Sequence, residues 1–329
     1  MRLRFADSIP SIIAAVSCGF ACAFALPLAA QTYPTKPIRF IIPFTPGGNT
    51  DVLGRLLGQK LTEAWGQQIV IDNRPGAGGT VGVEQTAKAA PDGYTIVMGT
   101  FGSVLVANSL YKRLGYDPQR DLAPVVLVST PPGLLVVNPG VPVTSVRELI
   151  AYAKQHAGKL NYASSGAGTW NHLFGELFNA MAHVKVTHIP YKGAAPAVTD
   201  LLGGQVQMMF APFPPALPQV RSGRLRALAV STAHRSGLLP DIPTVSESGL
   251  PGYEAEGWFA VLAPARTPAA IIERLNREIN RALQLPDVKG SLAADGAEPA
   301  GGTPEELAPS IRTGSVKWGK LIRDLGISL

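Results

Sequence analysis

The chain is read as an α/β protein of two doubly wound domains joined by two crossing strands. Three observations carry that reading. Short apolar strands alternate with amphipathic helices along most of the sequence, the pattern of sheets built from strand–helix units. The alternation breaks around Asp117–Asp121 and restarts after two apolar runs in succession. A last apolar strand then precedes a helical C-terminal part, so the chain end is expected to return to the first domain. The 329 residues suffice for two domains of ordinary size, and 46% apolar with 16% charged content supports sizeable cores over disorder.

Ile38–Pro43 reads as a buried strand bounded by Pro37 and Pro43. The run from Asp51 to Trp65 reads as a helix, with Leu53, Leu56, Leu57, Leu61, Ala64 and Trp65 at helical spacing. Asn49 or Thr50 serves as its cap, and Asp51 lies in the first turn as a capping or dipole residue. Strand Gln68–Asp72, helix Thr80–Ala90, strand Thr95–Met98 and helix Ser103–Leu110 follow. Strands Pro124–Ser129 and Gly133–Val137, separated by Thr130-Pro131-Pro132, mark the passage between domains. The second domain reads as helix Ser145–His156, strand Asn161–Ala163, helix Thr169–Met181, strand Lys185–Pro190, helix Ala194–Leu202, and strands Gln207–Phe210 and Arg226–Val230. Ala233–Pro251, rich in Pro, Ser and Gly, reads as loop. Gly257–Ala263 carries the chain back, and helices Pro268–Leu283 and Pro304–Leu325 complete the first domain. The expected boundaries are 31–129 plus 256–329 for domain 1 and 130–255 for domain 2.

Residues 1–30 stand apart. Arg2 and Arg4 precede an apolar stretch from Ile12 to about Leu28 that ends in Ala29-Ala30, the plan of a secretory signal peptide. Cleavage after Ala30 is expected, with Ala23-Phe24-Ala25 a second candidate; Ser17, Cys18 and Gly19 interrupt the run and argue against a lasting anchor. Both cysteines, Cys18 and Cys22, fall inside this segment, and Cys18 also permits a lipoprotein reading. The mature chain is then free of cysteine, which suits an oxidising compartment and excludes thiolate chemistry. Removing Arg2, Arg4 and Asp7 lowers the net charge from +6 to +5, and no Lys/Arg run is present, so nucleic acid is excluded as a partner.

Five strands run into Gly- or Pro-bearing turns from which a helix starts: Phe44–Thr50, Gly76–Gly79, Thr100–Ser103, Ser165–Thr169 and Tyr191–Gly193. A helix start carries unpaired backbone N–H groups and the positive end of the helix dipole, so several such turns around one cleft make an anion site without charged side chains. Each turn alone also reads as a tight connection, His172 alone as a structural histidine, and Lys192 alone as a solvated lysine. The turns fit neither a P-loop nor a dinucleotide fingerprint nor a nucleophile elbow. The five histidines show no metal-ligand spacing, and no cofactor is expected.

The chain resembles the Bug-type, TctC-like extracytoplasmic solute receptors of tripartite tricarboxylate transporters. The match is carried by Tyr33–Ile38, Pro43–Asp51, Asn73–Gly79, Pro91–Thr95, Tyr116-Asp117-Pro118, Pro190–Ala197, Asp200–Gly204 and Pro243-Thr244-Val245. The resemblance implies a type II periplasmic binding protein that works as a monomer in the periplasm. It further implies capture of a small carboxylate, either a di- or tricarboxylate or an aromatic acid, and its delivery to membrane transporter subunits. Carried onto this sequence, it points to Phe44, Pro46, Gly47 and Gly48 in the first domain, with Gly78 and Thr100 as further contacts. In the second domain it points to Ser164, Ser165, Gly166, Gly168, Thr169 and Tyr191. One departure stands out: relatives commonly carry an Asp after the Met-Phe that ends the strand before the cleft, and here the wall reads Ala211-Pro212-Phe213-Pro214. Ala211 and Phe213 are therefore expected to meet an uncharged or aromatic distal end of the ligand. The alternatives are a ligand sensor that signals to a membrane kinase and a secreted hydrolase built on Ser165, His172 and Asp200.

Overall fold

The computed structural model describes residues 33–329; the proposed signal segment with Cys18 and Cys22 lies outside the described residues. Two five-stranded sheets organise the chain. The first contains β1 (Ile38–Ile42), β2 (Ile69–Asn73), β3 (Thr95–Thr100), β4 (Leu122–Ser129) and β10 (Phe259–Pro264), in the order β2-β1-β3-β10-β4. The second contains β5 (Leu134–Val137), β6 (Asn161–Ser164), β7 (Thr187–Pro190), β8 (Met208–Ala211) and β9 (Arg226–Val230), in the order β7-β6-β8-β5-β9. These sheets define two lobes.

Neither sheet is wholly parallel, as simple strand–helix alternation suggests. β10 runs antiparallel to β3 and β4, and β5 runs antiparallel to β8 and β9. Each is the strand that follows a crossing, and a chain arriving from the other lobe enters the sheet from the opposite end. The crossings themselves touch: Pro132 and Glu256 form an antiparallel bridge, and the Gly257 N–H donates to the Pro131 carbonyl at 2.7 Å.

Helices cover both faces of the first sheet. Phe40 and Ile42 pack with Leu53 and Leu57 of α1 (Asn49–Trp65) and with Leu275 and Ile279 of α8 (Ala269–Leu283). Ile41, between them, turns to the other face and joins Val83 of α2 (Thr80–Ala87), as the period of a strand requires. Around the second sheet lie α4 (Val146–Gln155), α5 (Trp170–Ala182) and α6 (Ala194–Leu202). The C-terminal α10 (Pro304–Asp324) ties the lobes: Trp318 meets Phe101 edge-on at 4.8 Å and stacks on Phe174 of α5 at 6.0 Å.

Two helices escaped the sequence pattern. α7 (Phe213–Arg221) carries Pro214, Pro215 and Pro218, and α9 (Pro286–Ala294) starts on a proline. Pro214, Pro215 and Pro286 lie in first turns, where N–H groups have no intrahelical partner, whereas Pro218 lies inside α7 and gives up one helical hydrogen bond. The expected helix Ser103–Leu110 is instead a wide π-type turn, Phe101–Leu105, followed by the short α3 (Ala107–Leu110).

Candidate functional site

A cavity of about 190 Å³ lies between the lobes, and three helix N-termini line it. α1 presents Gly48, Asn49 and Thr50; α5 presents Thr169, Trp170 and Asn171; α6 presents Gly193, Ala194 and Ala195. None of the three ends carries a side-chain cap. Thr169 is the one cap residue of a type that caps helices, and its hydroxyl donates to the Gly166 carbonyl at 2.7 Å instead. The first turns of all three helices therefore border one space, and the positive ends of their dipoles converge there, although on α1 the Thr50 N–H donates to Asn49 Oδ1 at 3.0 Å. Among the described residues, Lys192 is the one charged side chain on the cavity wall.

Each loop is held by buried polar groups. Asp51, nearly fully buried, accepts from the Gly47 N–H at 3.0 Å, Asn73 Nδ2 at 2.8 Å and Arg55 Nε at 2.9 Å. Burial opposes its charge, but the bonds from Arg55, Gly47 and Asn73 prevail and hold its carboxyl below the usual range. Asn73 Nδ2 also donates to the Phe44 carbonyl at 3.0 Å, so one amide spans both ends of the loop. Gly47 sits at φ +88°, a conformation that admits glycine most easily.

Behind the α5 loop, the Ser164 hydroxyl lies 2.6 Å from His188 Nε2 and accepts from the Gly166 N–H at 3.1 Å. His172 Nδ1 accepts from the Gly168 N–H at 3.1 Å, and its ring stacks on His188 at 4.0 Å. Burial pushes His172 down to about 4; burial and the neighbouring His172 push His188 down to about 3. Both rings are neutral near pH 7 and hold the loop in shape. Asn171 supports the same loop, accepting from the Ser165 N–H at 3.4 Å and donating to the Phe210 carbonyl at 3.0 Å.

Of the residues expected at the site, Phe44, Pro46, Gly47, Gly48, Thr100, Ser165 and Thr169 line the cavity. The Thr100 hydroxyl is engaged with Ser103 in a reciprocal cap, so that turn is closed to an anion in a way the other three are not. Ser164 is fully buried behind the loop, while Gly166 and Gly168 shape it at φ +140° and +80°. Tyr191 is turned away: its hydroxyl donates to Asp200 at 2.7 Å, and the cavity wall comes from Lys192 and Gly193 instead. Ala211 and Phe213 are fully buried, and their neighbours Pro212 and Pro214 line an adjoining chamber. Gly78 meets the opposite lobe: a β-carbon built there falls 2.8 Å from the Ala167 carbonyl oxygen. The same construction on Gly102 falls 2.4 Å from the Gly168 carbonyl oxygen, so the lobes touch through bare backbone and the cleft is closed.

The hydrolase constellation is not assembled. His172 is committed to the Gly168 amide and Asp200 to the Tyr191 hydroxyl, so neither serves Ser165. Sequence reasoning missed Asn73 and Asn171 as loop supports and Trp170, Gly102 and Phe259 as wall residues. Side-chain amides whose partners lie in other elements leave no pattern along a chain. Among the described residues, no cluster of three or more His, Cys, Asp or Glu is placed to hold a metal ion, and no helix is long and apolar enough to cross a membrane.

The fold recurs in known proteins. The model of the tripartite tricarboxylate transporter family receptor matches residues 53–327. Protein BugT of Bordetella pertussis is 42% identical over 306 residues, covering 93% of this chain and 94% of the relative. Among solved structures, R. palustris Rpa4515 with adipate is 40% identical with a TM-score of 0.86, covering 90% of this chain and 100% of that one. MatC from Rhodopseudomonas palustris with bound malate is 33% identical with a TM-score of 0.83, covering 88% and 100%. The periplasmic binding protein BugD is 35% identical with a TM-score of 0.84, covering 90% and 100%. The chain belongs to the TctC family of tripartite tricarboxylate transporter receptors.

Proposed function

We infer that this protein captures a small carboxylate in the periplasm and presents it to the membrane subunits of a tripartite tricarboxylate-type transporter. The observation that carries the reading is the convergence of three uncapped helix N-termini, drawn from both lobes, on one cavity. Such donors stabilise a carboxylate whether or not a cation is near. Their division between lobes makes the bound acid a bridge that favours the closed form. Similar proteins solved with adipate and with malate support the same chemistry.

In this reading residues 1–30 direct export and are removed, and the monomer works without a cofactor. Domain 1 comprises 31–129 and 256–329, and domain 2 comprises 130–255. The contacts are Phe44, Pro46, Gly47, Gly48, Ser165 and Thr169, joined by Lys192–Ala195, with Thr100 lining the wall through its closed turn. Gly78, Ser164, Gly166, Gly168, Tyr191, Ala211 and Phe213 act by shaping the walls.

Isothermal calorimetry with mono-, di- and tricarboxylates tests this. One-to-one binding of an acid, lost when its carboxylate is converted to the primary amide, is expected. Binding of the amide as tightly as the acid, or turnover of the acid to product, overturns the reading.

A further inference from the structure

Beside the cleft lies a second chamber of about 300 Å³, with Gly48 and Ala194 among the residues lining both spaces. Its walls are Val52, Leu53 and Leu292 from the first lobe and Pro212, Pro214 and Pro215 from the second. Asn49 and Ser291 add uncharged polar groups to this mostly apolar lining, and among the described residues Asp295, at the end of α9, is its one ionisable residue.

Asp295 is more than nine-tenths buried. Its Oδ2 accepts from Asn49 Nδ2 at 3.1 Å, and its Oδ1 has no partner. Gly296, the next residue, is covered by the crossing and by the second lobe: a β-carbon there would meet Pro132 Cγ at 3.0 Å and Phe213 Cδ1 at 3.3 Å. Ala211, Pro212 and Phe213 of that wall are themselves buried, whereas Pro214 and Val52 on the chamber's rim are exposed. No lysine, arginine or histidine from α1, α6 or α7 lines the chamber. On α9 itself, Asp287 and Lys289 belong to the first turn, where Asp287 pairs with Lys60 at 2.7 Å. Burial without a compensating cation pushes the Asp295 carboxyl up to about 7.

We propose that this chamber receives the uncharged, apolar tail of the bound acid and that Asp295 excludes a second carboxylate. This rests on carboxylate capture at the three helix N-termini. With its first carboxylate there, a diacid extending past Gly48 and Ala194 brings its second into a space that already holds an unpaired acid. Like charges in a site of low dielectric disfavour one another's ionisation, and the helix ends that border the chamber at Gly48 and Ala194 are, in this reading, already engaged by the first carboxylate. A hydrocarbon or aromatic tail enters without it, and the prolines and leucines offer it apolar contact.

The test is calorimetry of the mature protein with hexanoate against adipate and octanoate against suberate. Each pair matches in chain length and differs by one carboxylate. At about pH 8 the monoacid should bind tighter by about tenfold or more, as expected for one unit charge acting across a few ångströms of partly dried site. The preference should shrink near pH 6, where Asp295 is protonated. Asp295→Asn, which keeps the size and removes the charge, should narrow it severalfold by tightening the diacid, with the monoacid little changed; Asp295→Ser replaces it if that variant does not fold. A diacid that matches its monoacid at about pH 8, or a preference unchanged in the variant, overturns the proposal. If no acid of either series binds, the role of the chamber falls, and carboxylate capture falls with it when tricarboxylates and aromatic acids also fail to bind; if the monoacids bind without a preference, only the role of the chamber and Asp295 falls.

Discussion

Asp51 accepts three hydrogen bonds in order to present a backbone turn, without itself facing the cleft. Replacing it with Ala leaves the Gly47 N–H and the Asn73 amide short of an acceptor, a cost of about 1–3 kcal/mol. Asp51→Ala should therefore unfold at lower denaturant and bind the acid at least about tenfold more weakly, and an unchanged affinity would show the loop shape to be irrelevant. The stacked histidines make a prediction in pH. Their folded pKa values lie below the ordinary 6.5, so the unfolded chain binds more protons between these limits. The stability they contribute is present above 6.5 and is lost as pH falls through about 4 and then about 3. Thermal unfolding should show a midpoint that declines below about pH 6.5, and a His172→Gln, His188→Gln double variant should flatten the decline. At this scale the sequence singled out Gly47 and Gly48, which line the cavity, from backbone chemistry alone. It missed Asn73 and Asn171, whose partners lie in other elements, and it named Tyr191 where the chain turns one residue later.

An element-level property, the missing cap, distinguishes the three cleft helices from α4 and α10. Ser145 caps α4 with a bond from Glu148, and Thr303 and Glu306 form a reciprocal cap on α10. Gly48 sits at φ −79° and ψ 165°, an extended conformation open to any residue, and a β-carbon there has ample room. Gly48→Asp should therefore cap α1, leaving stability unchanged or raised by a few tenths of a kcal/mol. The same carboxylate occupies the amides meant for the ligand, so affinity should fall by tenfold or more, about 1.4 kcal/mol. A variant that keeps its affinity would remove α1 from the site. Strand–turn–helix units were legible because strands and amphipathic helices write their periods into the sequence. α7 escaped because its prolines read as loop, although a first turn tolerates Pro214 and Pro215. The closed end at Thr100 was equally hidden, since a cap formed with Ser103 shows only when both side chains are placed.

Over the whole molecule, closure depends on the absence of side chains where the lobes meet. The Gly102–Gly168 approach leaves no room for a methyl group against a carbonyl oxygen. Gly102→Val should hold the cleft ajar while leaving each sheet intact. Small-angle scattering should then show no contraction on adding ligand, and affinity should drop at least about tenfold as cross-lobe contacts are lost. Full contraction in this variant would place the closing contact elsewhere. The sequence by itself determined the α/β class, the two crossings and three of the turns that meet at the cleft, because these follow from local periodicity and from glycine and proline chemistry. Only the tertiary structure decided which helix ends lack caps, that β5 and β10 run against their neighbours, and that Asp295 is buried beside Asn49. Those facts depend on residues far apart in the chain that become neighbours when the lobes close, and no local pattern records such distances.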